Sequence, residues 1–258
     1  MLLRRITEHV KAQNWVAVVL DFAIVVVGVF VGLQVSNWNE ARQLQNEEYT
    51  TLVRLQREAE DIVAFWQEYI FFSKQMNNNR RRLLEVLARG QMSEGERGEI
   101  DDAFMRLGHY PANNPPRTVY NELVASGGLR LISDVATREA VSLYVTQLEF
   151  IDGQLIQFRT NLPGLHEAFQ SHIFSSYEPG AASLRRYEYD IEALSTDRQF
   201  ISDIVDAVRN QLQFHNYRQV TLEAALHMCQ EISRAVSQTC DVGEIDMERH
   251  IRKDGVNQ

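Results

Sequence analysis

The chain has 258 residues, 45% of them hydrophobic, and a formal net charge of −9. That acidic balance argues against a nucleic-acid partner, because nucleic-acid capture rests on clustered Lys and Arg. With five Pro, 13 Gly and no low-complexity tract, the chain is long enough for one domain with a real core.

The first segment, residues 1–14, alternates Leu2, Leu3, Ile6 and Val10 with Arg4, Arg5, Glu8 and Lys11. This suits a short basic amphipathic helix on the cytoplasmic face of a membrane. Residues 15–37 read as a transmembrane helix. Residues 16–33 carry one charge, Asp21, and a bilayer core of about 30 Å needs about 20 apolar residues as a helix. A cleaved signal would end in a small-x-small site, whereas this run leaves through Leu33, Gln34, Val35, Ser36, Asn37 and Trp38. Arg4, Arg5 and Lys11 outweigh Glu8 before the span, and Glu40, Glu47 and Glu48 outweigh Arg42 after it. The positive-inside rule therefore puts the N-terminus in the cytoplasm and the main domain outside.

Trp15 and Trp38 bracket the span as interfacial anchors. Asp21 has two readings: a proton relay or partner contact within the membrane, or a carboxylate close enough to the boundary to reach headgroups or a basic residue of the tail. Gly28 and Gly32 form a GxxxG pair, which permits close approach of a second helix.

Residues 38–241 read as one extramembrane helical domain, and 242–258 as a charged, frayed tail. After the span no Gly or Pro appears before Gly90. Leu52, Leu55, Ala59, Ile62, Trp66 and Tyr69 recur at alternating three- and four-residue steps, which predicts a long helix with one face in a bundle core. The run Asn77 to Arg82 reads as a solvated helix face, with a phosphate or headgroup site as the alternative. Gly90 is a natural C-cap, and Ser93 with Glu96 has capping-box spacing ahead of a helix to about Leu107.

The stretch 108–117 is a Pro- and Asn-rich loop. A short helix from Thr118 to Ser126 is closed by Gly127 and Gly128. Ser133 and Asp134 then cap a long helix to about Asn161. Pro163 and Gly164 break it, and a further helical piece is expected to about Ser176. Residues 177–195 read as irregular or short helix, with Tyr177, Tyr187 and Tyr189 around Arg185 and Arg186. The final long helix opens at Ser195, Thr196 and Asp197. Its expected core stripe is Ile201, Ile204, Val208, Leu212, His215, Leu222, Leu226, Cys229, Ile232 and Val236.

Chemistry-bearing patterns are sparse. There is no GxSxG, P-loop, GxGxxG or HExxH spacing. Glu223 and His227 are four apart and miss the Glu-x-x-His of di-iron bundles, and His215 reads as a core histidine. Cys229 and Cys240 lack zinc-site spacing; they read equally as a short-loop disulfide or as two separate thiols. The reading therefore assigns no catalytic residue, cofactor or metal.

Two stretches resemble an uncharacterised family of bacterial single-span membrane proteins. Gly32 to Glu40 matches its anchor pattern G-[IL]-Q-[VI]-x-N-W-N-E, including Asn37, Trp38, Asn39 and Glu40. Tyr120, Leu123, Ser126, Gly127, Leu129, Leu131, Ile132 and Ser133 match its second hallmark, with Gly128 where the family often has a polar residue. The resemblance implies a bacterial inner-membrane protein with a periplasmic domain, and it carries over no catalytic residue. Physically, Asn37 to Glu40 would fix the depth of the anchor or dock a neighbour. Ser126, Gly127 and Gly128 would form a tight corner, or the floor of a pocket beside Tyr120 and Leu123.

The sequence thus predicts an all-α protein: one N-terminal transmembrane helix followed by an extramembrane antiparallel helical bundle. The expected role is a scaffold or an accessory subunit, in contact with membrane lipid and either self-associating or joined to a larger membrane complex. A periplasmic ligand-binding module that signals through a partner is the alternative.

Overall fold

The computed structural model describes residues 15–160, 163–180 and 185–243. The amphipathic tail and most of the charged C-terminal segment lie outside them. The protein is predominantly helical, as expected, and divides into two compact units, Met1–Thr50 and Thr51–Gln258. Helix α1, Trp15–Arg89, contributes to both.

In the first unit, every described position from residue 22 to residue 47 is exposed, including Phe22, Phe30, Leu33 and Trp38. This helix is long and apolar enough to cross a membrane.

The second unit is built on α1 from Thr51, α2 (Arg97–Leu107), α3 (Thr118–Ala125), α4 (Val135–Thr160), α5 (Pro163–His172), α6 (Ile191–Thr196) and α7 (Arg198–Ala235). Helix starts follow local chemistry. Asp197 Oδ1 accepts the N–H groups of Gln199 and Phe200 at the head of α7, and Asp134 Oδ2 accepts the Thr137 N–H and hydroxyl at the head of α4. Ser93 N–H and Oγ–H both donate to Glu96, but a 3-10 turn over Glu94–Glu96 intervenes before α2 begins.

Partner order along the helices sets their directions. Gln56 on α1 reaches the Thr239 carbonyl, Ser73 meets His215, and Leu83 and Leu87 cluster with Phe200 and Ile204, so α1 and α7 are antiparallel. Asp134 pairs with Arg234, Thr137 bonds the Glu231 carbonyl and Phe158 packs on Phe214, so α4 is antiparallel to α7 as well. It follows that α1 and α4 run the same way, which corrects a fully antiparallel arrangement. The connection from Gly90 to Asp134 makes this possible by carrying the chain back along α1, where Glu122 pairs with Arg54.

The segment after α5 is also corrected. The helix ends at His172, and Phe174–Tyr177 pairs as an antiparallel strand (β1) with Arg185–Glu188 (β2), Ser175 opposite Tyr187. Local helical pattern loses here to cross-strand pairing, which a helix reading of one strand cannot anticipate.

Among the described residues the core falls into two apolar clusters. One joins Leu52, Leu55, Ile62 and Trp66 of α1 to Tyr144, Leu148 and Ile151 of α4 and to Ala225, Met228 and Ile232 of α7. The other joins Leu83, Val86 and Leu87 of α1 to Ile100, Phe104 and Leu107 of α2 and to Phe200, Ile204 and Val208 of α7.

Candidate functional site: a buried cationic layer

Polar side chains come together at the level between these clusters. The apolar stripe of α1 continues in the same three-four register through Tyr69, but the next inward positions are Ser73, Asn77 and Arg80. On α7 the inward positions are Gln211, Phe214, Arg218 and Thr221. The expected stripe on α7 passed from His215 to Leu222 and so missed this group; Leu212 and His215 are only half-buried. The solvated reading of residues 77–82 holds for Asn78, Arg81 and Arg82 and fails for Asn77 and Arg80.

Arg80 is 2% exposed and Arg218 is 3% exposed. Arg80 Nη1 donates to Asn77 Oδ1 at 2.7 Å and Nη2 to the Arg106 carbonyl at 2.8 Å, while Nε has no acceptor. The Arg218 guanidinium lies 4.3 Å from the centre of the Phe214 ring and 4.9 Å from that of Tyr69. Its Nε and Nη2 have no acceptor. Among the described residues neither arginine is in an ion pair. Asp102, the carboxylate whose charge acts on Arg80, is bonded to Asn79 Nδ2 and Arg106 Nε.

Burial lowers both guanidinium pKa values to about 10, still well above neutrality, so both groups are charged at physiological pH. An uncompensated buried charge costs several kcal/mol. Each aromatic contact returns only about 0.5–2 kcal/mol.

Neighbouring groups bind the layer together. Gln211 Nε2 donates to the carbonyls of Leu107 and His109, which fixes the end of α2 and the start of the Pro-rich loop against α7. Ser73 Oγ lies 2.6 Å from His215 Nδ1 and 3.1 Å from the Ile70 carbonyl. The His215 pKa is lowered by burial first, then by Arg218, Lys74, Arg80 and Arg81. His109, at the exposed edge, is lowered by its partial burial and then by Arg106, Arg80, Arg218 and Arg159. Tyr110 stacks on Phe158, and burial raises its phenol to about 12, so it remains a neutral donor.

Among the described residues, those expected at the membrane are not gathered into a site. The side chains of Trp15 and Asp21 lie outside the described ones. At Gly28 and Gly32, no described heavy atom comes within 4 Å of where a Cβ would sit. Asn37, Trp38, Asn39 and Glu40 are exposed, with the Arg42 guanidinium 5.8 Å from the Trp38 ring.

The second hallmark forms a corner. Helix α3 ends at Ala125, Ser126 Oγ donates to the Leu123 carbonyl, and Gly127 takes a left-handed φ of 72°. A Cβ on Gly128 would stand 2.8 Å from both Leu123 Cδ1 and the Leu123 carbonyl oxygen. The backbone is therefore packed onto buried Leu123, with no room for even a methyl group between them. Tyr120 is half-buried, and its N–H and that of Val119 donate to the two carboxylate oxygens of Glu58 at 2.9 and 2.7 Å. Glu58 thus caps α3 from α1, a role with no local sequence signal.

Cys229 and Cys240 are joined by a disulfide, which ties α7 to the segment that follows it. Glu223 and His227 are exposed on α7. Near the hairpin, Tyr189 Oη donates to Asp101 Oδ1, and Arg97 Nη2 donates to the Tyr187 carbonyl, so this aromatic–arginine group fastens the hairpin to α2. Comparison with known proteins yields no match: no family model, no curated protein and no solved structure is significantly similar to this chain.

Proposed function

We propose that the protein is a single-span membrane protein whose helical domain acts as an interaction module, either self-associating or attached as an accessory subunit to a membrane assembly. The observation that carries this reading is the apolar segment of α1, exposed at every described position from residue 22 to residue 36 and closed by Asn37, Trp38, Asn39 and Glu40. The charge bias across the span favours a cytoplasmic N-terminus. A disulfide between Cys229 and Cys240 is at home in an oxidising compartment, which supports a bacterial inner-membrane protein with a periplasmic domain. The resemblance of Gly32 to Glu40 to the anchor pattern of that uncharacterised family fits the same picture. No catalytic role is proposed.

The test is gentle extraction of the full-length protein from native membranes, followed by mass determination of the intact particle, with a topology reporter fused at the C-terminus. A stoichiometric complex, homomeric or with foreign subunits, and a periplasmic reporter are expected. A monomer with no bound partner would sink the interaction reading, and release from membranes by alkaline carbonate would sink the anchor. The second reading, a ligand-binding module that works through a partner, is favoured by the unbalanced charges of Arg80 and Arg218.

A further inference from the structure

We infer that the layer around Arg80 and Arg218 is a binding site for a small oxyanion, such as inorganic phosphate, sulfate or a short carboxylate. Three guanidinium N–H positions are buried without an acceptor: Arg80 Nε, Arg218 Nε and Arg218 Nη2. The two on Arg218 belong to one edge of the guanidinium, the side-on fork that matches two oxygens of a carboxylate or phosphate. The guanidinium carbon of Arg218 lies over the rings of Phe214 and Tyr69, and a ring face attracts the cation without supplying a lone-pair acceptor to that edge.

Charge points the same way. Both arginines are more than nine-tenths buried, and neither pairs with a carboxylate among the described residues. Lys74, Arg81, Arg106 and Arg159 add positive potential around His215 and His109. A trapped water would satisfy the orphan donors and leave the charge unbalanced; an anion satisfies the donors and balances the charge. Ser73, Asn77 and Gln211 supply neutral polar groups at the same level, and the layer meets solvent at His109. This inference does not depend on the membrane assembly proposed above, since a ligand can bind a monomer as well as a complex.

The test uses the full-length protein in detergent, exchanged into sodium fluoride, which supplies no oxyanion, at constant ionic strength. Sodium phosphate, sulfate, acetate and chloride are titrated in turn, with binding heat and thermal unfolding as readouts. The expected result is a one-to-one isotherm for at least one oxyanion and a saturable rise in Tm. Arg218→Met and Arg80→Met should each weaken binding at least tenfold. Arg218→Lys, which keeps the charge and loses the fork, should weaken it while preserving the fold. In fluoride alone, Arg218→Met should melt no lower than the parent, because it removes a charge that nothing balances. Flat isotherms for every oxyanion, a response to chloride alone, or equal affinity in the Met variants would overturn the inference. So would a large drop in the Tm of Arg218→Met in fluoride, which would mean that the chain itself compensates the charge.

Discussion

Ser73 Oγ on α1 lies 2.6 Å from His215 Nδ1 on α7, at the level where the inward face of both helices changes from apolar to polar. The contact requires an imidazole that shares its Nδ1 with a hydroxyl, which a neutral ring does in either tautomer.

The first prediction concerns pH. Burial and the surrounding cations lower the His215 pKa in the folded state, so the unfolded chain takes up the proton first as pH falls. Stability from this group is fully present above its unfolded pKa of about 6.5 and is lost as pH falls from there through the folded value. The urea midpoint should therefore be flat above pH 7 and decline below about pH 6.5. His215→Gln should flatten part of that slope, with His109 responsible for the remainder. An unchanged slope in the variant would assign the effect elsewhere. The carboxylates do not blur this window: Glu96, held down to about 2 chiefly by Arg89, and Asp134 and Asp197, also lowered, lose their share only at more acid pH.

Glu58 offers a second prediction. Its carboxylate, 6% exposed, accepts the N–H groups of Val119 and Tyr120 and so anchors α3 to α1. Glu58→Ala leaves both donors without an acceptor and should cost about 3 kcal/mol, read by equilibrium urea unfolding. Glu58→Gln keeps one carbonyl oxygen and should cost about half as much. Equal losses for the two variants would mean that packing, rather than hydrogen bonding, is the contribution of this residue.

Three glycines separate steric from conformational cost. Gly128→Ala forces a methyl against Leu123 Cδ1 and against a backbone oxygen that cannot move aside, and should cost about 1–3 kcal/mol. Gly127→Ala meets open space but keeps the positive φ, for about 1 kcal/mol. Gly153, exposed within α4 with nothing near a Cβ, should gain about 0.5–1 kcal/mol as Ala. Thermal unfolding of the three variants checks the ranking.

The disulfide gives the fourth. Cys229 is fully buried on α7 and closes a short loop to Cys240. Replacing both by Ala should lower stability by about 2–3 kcal/mol, and adding reductant to the parent should lower its Tm by a similar equivalent. Free thiols in protein isolated under alkylating conditions would count against the bond, and with it against one support for an exported domain.

What the sequence by itself determined is what depends on neighbours along the chain. The apolar run in α1, the cap residues Asp134 and Asp197, the turn at Gly127 and the stripe from Leu52 to Trp66 are each set by spacing within a few residues. All appear where the local pattern puts them. The same reading named Cys229 and Cys240 without deciding between a bond and two thiols, because only the path after α7 brings them together.

Only the tertiary structure decided the rest. Arg80 sits in a polar run of Asn and Arg, and nothing local distinguishes it from the exposed Arg81; it is buried because its face of α1 meets α2 and α7. Arg218 fills a gap in an apolar stripe because aromatic rings from two helices, Tyr69 and Phe214, come together there. The parallel course of α1 and α4, the cap that Glu58 gives α3 and the pairing of Phe174–Tyr177 with Arg185–Glu188 likewise join residues far apart in the chain. Periodicity shows which way a side chain faces. Whether that direction leads to water, lipid or another helix is fixed by packing, and here packing placed two guanidinium groups where an apolar pattern would have put leucines.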